Sequence, residues 1–317
     1  MSTVWLDLYS LTDLCRPGAI RALGDAFDAD ERLRPDRMDR NDPIREKIRS
    51  AAAYLGGVEA LLAQGPESYL FERRSAPRLG GGITFDRRAP EELKSPHRIY
   101  LSLEEEVLTA EPNLAESLGD LFVRLADAFD GYYGFATHSK LPWQQRVELV
   151  EAGRRGEPAP QYPTMYTDRT SVRDVYWLNY FGPSYVERWG DRLNDVGVRQ
   201  VETSNRGRVI WAAESPFLYD EAVGSTSDYA WKQPFYEALG RDTFVHLHQV
   251  APHGVRAGTT IAGSFAGWTP RRESRGALGA SPRVGPCAPV DWVLRRSDRQ
   301  RRGRGSDPGR RLPRLLG

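Results

Sequence analysis

Two cysteines among 317 residues, Cys15 and Cys287, are too few and too far apart to build a disulfide framework, so a reducing compartment is expected. No apolar run approaches the roughly 20 residues that span a bilayer. Residues 1–9 have neither the basic start nor the small-residue cleavage site of a secretory leader. The expectation is a cytoplasmic protein with no membrane partner. Histidine is scarce too, and nucleotide or metalloprotease signatures are missing: there is no G-x-x-x-x-G-K-[ST], no dinucleotide fingerprint between a strand and a helix, and no H-E-x-x-H. The triple glycine at 80–82 precedes a strand rather than a helix and reads as a turn, not a phosphate cradle. In GSFAG, at 263–267, the serine is misplaced for a nucleophile elbow.

Lysine is absent from residues 251–317, which hold 14 arginines and four acids, a net charge of +10. The whole chain carries +1, so residues 1–250 carry −9. The basic segment consists of Arg, Gly, Pro, Ser and Ala without helical or strand periodicity, and cannot bury enough apolar surface to offset its ordering entropy. It reads as a disordered tail over 250–317. Two origins stand: a genuine disordered extension, or a GC-rich gene read out of frame.

The body is different. TVWLDLYS reads as a strand, with Pro17 then opening a helix that carries Ile20, Leu23 and Phe27. Residues 31–43 read as a polar, Pro-punctuated loop, and the spacing of Ile44, Ile48, Leu55, Val58 and Leu62 predicts a longer helix. SYLFER, GITFDR and HRIYLSL are three short strands, and Leu114, Leu118, Leu121 and Leu125 stripe the clearest helix. YYGFATHS reads as the next strand. Residues 140–172 form a long Pro- and Gly-punctuated connection, helical only over WQQRVELVEAG. VYWLNYF is a strand, Gly182-Pro183 opens a helix through Val186, Trp189, Leu193 and Val196, and SNRG turns a hairpin between VRQVET and RVIWAAE. Irregular alternation with hairpin-linked strands gives an α+β class: a single domain over 1–249 with a mostly antiparallel or mixed sheet packed by helices.

YWLNYFGPSYVERWG, residues 176–190, holds six aromatics in fifteen positions. A base-stacking platform needs exposed rings interleaved with basic residues. Here Arg188 is the one base, so the stretch reads as core strand, turn and packing helix, with Trp177 and Trp189 inside. No nucleic acid is expected on the acidic body. The carboxylates Glu104, Glu105 and Glu106 have the types of an acid/base site but read first as a solvated acidic face. No convincing catalytic set, cofactor or metal site emerges.

The runs DVYWLNYFGPSYVERWG, GVRQVETSNRGRVIWAAESPF and KQPFYEALGRDTFVH resemble the immunity protein 52 family of bacterial polymorphic toxin systems, over about residues 1–249. The residues matching that pattern are Trp177, Asn179, Phe181, Gly182, Trp211 and Phe235. The resemblance implies a non-enzymatic cytoplasmic protein that binds and neutralises a cognate toxin, a nuclease-type effector domain of restriction-endonuclease fold being the partner type. An acidic body complements the basic cleft that a nuclease needs for phosphates. Trp143, Tyr162, Met165 and Tyr166, on the 140–172 connection, are the expected toxin contacts together with Glu104–Glu106, because aromatic and Met residues are enriched at interface cores. Two other readings remain open at this stage. One is a metal-dependent enzyme using His246 and His248; the other is a nucleic-acid binder working through the Arg-rich tail.

Overall fold

In the computed structural model, which describes residues 2–12, 18–58, 67–85, 97–155, 172–220 and 222–244, the first strand becomes the middle of a broad sheet. The strands are β1 (Thr3–Ser10), β2 (Arg37–Asp39), β3 (Glu67–Arg73), β4 (Leu79–Phe85), β5 (His97–Glu104), β6 (Tyr133–His138), β7 (Leu178–Phe181), β8 (Arg199–Glu202) and β9 (Arg208–Trp211). They form one nine-stranded sheet in the order β2-β3-β4-β5-β1-β6-β7-β9-β8. Every strand pairing in it is antiparallel. The helices are α1 (Ala19–Asp28), α2 (Ala51–Gly56), α3 (Glu105–Ala110), α4 (Pro112–Ala128), α5 (Lys140–Arg154), α6 (Pro183–Leu193) and α7 (Gln233–Leu239). The α+β class holds.

Strand alternation divides the core in two. Val4, Leu6 and Leu8 of β1 point into one cluster with Ile20, Leu23 and Phe27 of α1 and Leu114, Leu118, Leu121 and Leu125 of α4. Tyr9, Tyr133, Phe135, Phe181 and Ile210 point into the other, with Tyr185, Trp189 and Leu193 of α6 and Phe235, Tyr236 and Leu239 of α7. The middle of the sheet is thus covered on both faces. Toward β5 the second cover ends: buried His97, Ile99, Leu101 and Leu103 alternate with half-buried Arg98, Tyr100, Ser102 and Glu104. That is the pattern of a sheet with one wet face.

Four expectations change. The helix predicted from Ile44 to Leu62 is described only over Ala51–Gly56; before it, residues 46–48 pair sideways instead. Met38 N donates to Glu46 O and Ile48 N to Asp36 O, both at 3.0 Å; Asp28 and Ser50 then cap α2. The polar loop at 31–43 contains the short strand β2. Gly80–Gly82 form part of β4 rather than a turn. A Cβ on Gly81 would sit 2.2 Å from Tyr100 O and 2.5 Å from the Phe71 ring, so glycine here lets strands and rings close together. The strand predicted over 175–181 is regular only from Leu178. The Asn179 side chain accepts from Tyr176 N at 2.9 Å and donates to Tyr176 O at 2.7 Å, folding the chain before the strand. Strict alternation therefore breaks, and Trp177 joins Leu178 in the first cluster while Tyr176 joins the second.

The six aromatics of the 176–190 stretch are all buried, so they form core and not a platform. No helix among the described residues is long and apolar enough to cross a membrane. The expected tail, 250–317, lies outside the described residues.

Candidate interaction surface

Helix α5 is built the wrong way round. Leu141, Gln145 and Glu148 are spaced four and three and share one face; Trp143, Val147 and Val150 repeat that spacing two positions later, about 200° around the helix. The polar face is the inner one. Gln145, 5% exposed, donates from Nε2 to Asp174 and accepts from Tyr176 OH at 3.3 Å. Glu148 accepts from Thr226 N at 2.7 Å and Thr226 Oγ1 at 3.0 Å, and Gln144 donates to Val223 O at 3.1 Å. The apolar triad faces out: Trp143 is 56% exposed, Val147 41% and Val150 49%.

A buried ion pair anchors the inner face. Asp174 and Lys232 are both inaccessible, and Asp174 accepts from Lys232 Nζ, from Gln145 and from Tyr236 OH, the last at 2.8 Å. Burial depresses the Lys232 ammonium below its ordinary range, although Asp174 works against it. Burial, then the Asp174 charge, pushes the Tyr236 phenol far up. Burial also raises the Glu148 carboxyl, against the Thr226 hydrogen bonds and the Lys232 charge. Two desolvated charges hold only when their remaining hydrogen-bonding capacity is met, and here it is. The network ties α5 to the segments before β7 and around α7, and fixes which way the helix faces.

Trp143 lies on α5, within the stretch WQQRVELVEAG expected to be helical. Tyr162, Met165 and Tyr166 lie outside the described residues, as do His246 and His248. The three glutamates are not one face: Glu104 ends β5 while Glu105 and Glu106 open α3. Glu105 Oε2 lies 3.2 Å from His138 Nε2. Nδ1 of His138 accepts from Lys140 N at 3.4 Å, while Nε2, the nitrogen nearer Glu105, is not aligned for a hydrogen bond to it. Burial raises Glu105, but His138, Ser2 and the Lys140 charge together outweigh it and hold the carboxyl below its ordinary value. Glu105 is therefore joined to the start of α5, whereas nothing among the described residues connects Glu104 or Glu106 to the outward ridge.

Trp177, Asn179, Phe181, Trp189, Trp211 and Phe235 are buried, and a Cβ on Gly182 would meet Tyr132 Cα at 2.6 Å. They shape the fold and present no surface to a partner. Among the described residues no group of three or more His, Cys, Asp or Glu is placed to hold a metal ion. Sequence reading missed the Asp174–Lys232 tie; its one local signal is a lysine set among the aromatics of YAWKQPFY.

No protein-family model matches the chain, and no curated protein does. Among solved structures it is similar to the Pseudomonas aeruginosa T6SS protein PA0821. The TM-score is 0.53 at 14% sequence identity, over 77% of this chain and 74% of that one. The fold is shared. Neither the family models nor the curated proteins support the likeness to immunity protein 52 proteins, which rests on the quoted residues alone.

Proposed function

We propose that the protein is a non-enzymatic immunity protein that binds and neutralises a cognate bacterial toxin, and that α5 carries part of the contact. The observation behind this reading is the outward apolar ridge Trp143–Val147–Val150 on a helix whose polar face is locked inward. Among the described residues five large apolar side chains are exposed, and three of them are these. Scattered exposed apolar residues need no explanation, but a row on one rigid element does. A tryptophan at its head is the residue type that most often dominates binding energy. The structural neighbour from a T6SS is compatible with a toxin-related role, and the resemblance over 1–249 supplies the partner type, a nuclease-like effector domain. A body of −9 favours fast encounter with a basic partner.

The test is genetic and direct. The chain is co-expressed with the C-terminal domain of a large protein encoded by the neighbouring reading frame, and growth is followed. Rescue by the wild type and loss of rescue by Trp143→Ala support the reading. A toxic domain that the wild type neither rescues nor binds removes it.

A further inference from the structure

The outward residues of α5 follow a finer pattern than exposure alone. Trp143, Val147, Val150 and Arg154 are spaced four, three and four, the a/d repeat of a coiled coil. At about 100° per residue they fall within a stripe about 60° wide, narrower than the face a helix buries on its own core. Arg154 continues the exposed row: 71% of its side chain is accessible, and Glu151, one turn earlier, is its ion-pair partner. An exposed pair of this kind binds weakly. A guanidinium can also keep a carboxylate at its edge while its face stacks on a ring. The row is about 17 Å long, and the contacts of Gln145 and Glu148 hold the opposite face of the helix inward.

Such a row is complementary to itself when a second copy runs antiparallel. An a position then faces a d position, so Val147 of one copy meets Val150 of the other, and Trp143 meets Arg154. The two-fold axis repeats both contacts. Four layers result: two valine pairs in the middle and, at each end, a guanidinium over an indole face, the favoured cation–π arrangement. Parallel packing would instead set Arg154 against Arg154, two like charges side by side. Arg154 therefore decides the direction. Four side chains from each copy make a small interface, in the weak and transient class below about 1,200 Å². The full chain carries only +1, so net charge puts no large repulsion between two copies.

We propose that α5 pairs with the α5 of a second copy of this chain, antiparallel across a two-fold axis, in a weak homodimer. That a toxin displaces the second copy, so that self-association covers the exposed Trp143, Val147 and Val150 until a toxin is met, rests on the function proposed above.

Sedimentation velocity of the full-length protein from about 5 µM to about 500 µM reads the association, because an interface this small assembles only at high concentration. The wild-type sedimentation coefficient should climb toward that of a dimer. Trp143→Ala and Val147→Glu should each stay monomeric throughout, with melting temperatures close to wild type, which guards against a variant that folds poorly. Arg154→Glu should weaken the dimer about tenfold, for the two guanidinium–indole layers lost. Mixing Arg154→Glu with wild type should bring no gain. A mixture that associates more tightly than wild type would show position 154 facing itself, a parallel pair, and overturn the register. A monomer at every concentration overturns the proposal, as does a dimer that Trp143→Ala leaves intact. Adding the toxin domain of the neighbouring reading frame separates the two readings. Toxin bound to an intact dimer would overturn the displacement. A dimer with no affinity for that domain keeps this inference and removes the proposed function; a toxin complex formed by a chain that is monomeric alone does the reverse.

Discussion

Trp177 and Trp143 put the same side chain to opposite uses, and the difference is set by what surrounds each. Trp177 sits within the first core cluster, and truncating a buried tryptophan costs about 3–5 kcal/mol. Trp177→Ala is expected to lower stability by that order in urea denaturation. An unchanged midpoint with lost partner binding would mean that this residue serves recognition. The Asp174–Lys232 pair makes a second case. Lys232→Met leaves a buried carboxylate unpaired and should cost about 3–5 kcal/mol, whereas Asp174→Asn combined with Lys232→Met should cost less than the two single changes summed. Additive losses in that cycle would show that the two charges do not depend on each other. Glu148 supplies the pH test. Its folded carboxyl titrates above the ordinary value because burial penalises the charged form, so between 4.5 and the raised value the folded state holds more protons than the unfolded one. Stability from this group therefore falls as pH rises through that window. Glu148→Gln keeps an acceptor for Thr226 and cannot ionise. Its stability relative to wild type should rise as pH climbs from 4.5, and a flat difference would place the raised carboxyl elsewhere.

Among elements, α4 was fully legible because its leucine stripe answers to one condition, burial against the sheet. The strands β3 and β5 were legible for the same reason, whereas the start of β4, Leu79–Gly81, was not, because its glycines read as a turn. The helix expected from Ile44 failed because Asp36 and Met38, several residues earlier, take the backbone of Glu46 and Ile48 into a lateral pairing that no local period records. The site was less legible than the fold. Trp143 was named from its residue type, but the inverted polarity of α5 depends on Asp174, Thr226 and Lys232, all distant in sequence, and hydrophobic periodicity assigns the apolar side of a helix to the interior. Glu104 and Glu106 were grouped with Glu105 because adjacent residues in sequence were read as one face; the change from β5 to α3 separates them. If the ridge is a contact surface and not a folding element, Trp143→Ala with Val147→Ser should leave the melting temperature within the range of ordinary surface changes, about ±0.5 kcal/mol. A marked loss of stability would show that the ridge is covered by its own chain.

For the molecule as a whole, an antiparallel sheet covered on both faces at its centre leaves little reason for an apolar row outside, and that row is what the function has to explain. The −9 body and the +10 segment after it raise a separate question. Deleting residues 250–317 should leave folding and neutralisation unchanged; a truncated chain that no longer protects would show that the basic segment takes part. The central claim, that α5 meets a toxin, is tested most directly by calorimetric titration of the full-length protein with the toxin domain of the neighbouring reading frame, comparing wild type with Trp143→Ala. The account predicts a one-to-one complex whose affinity falls about thirtyfold or more in the variant, the size of a binding hot spot, at unchanged melting temperature. No complex, or one that Trp143→Ala binds as tightly as wild type, would contradict it.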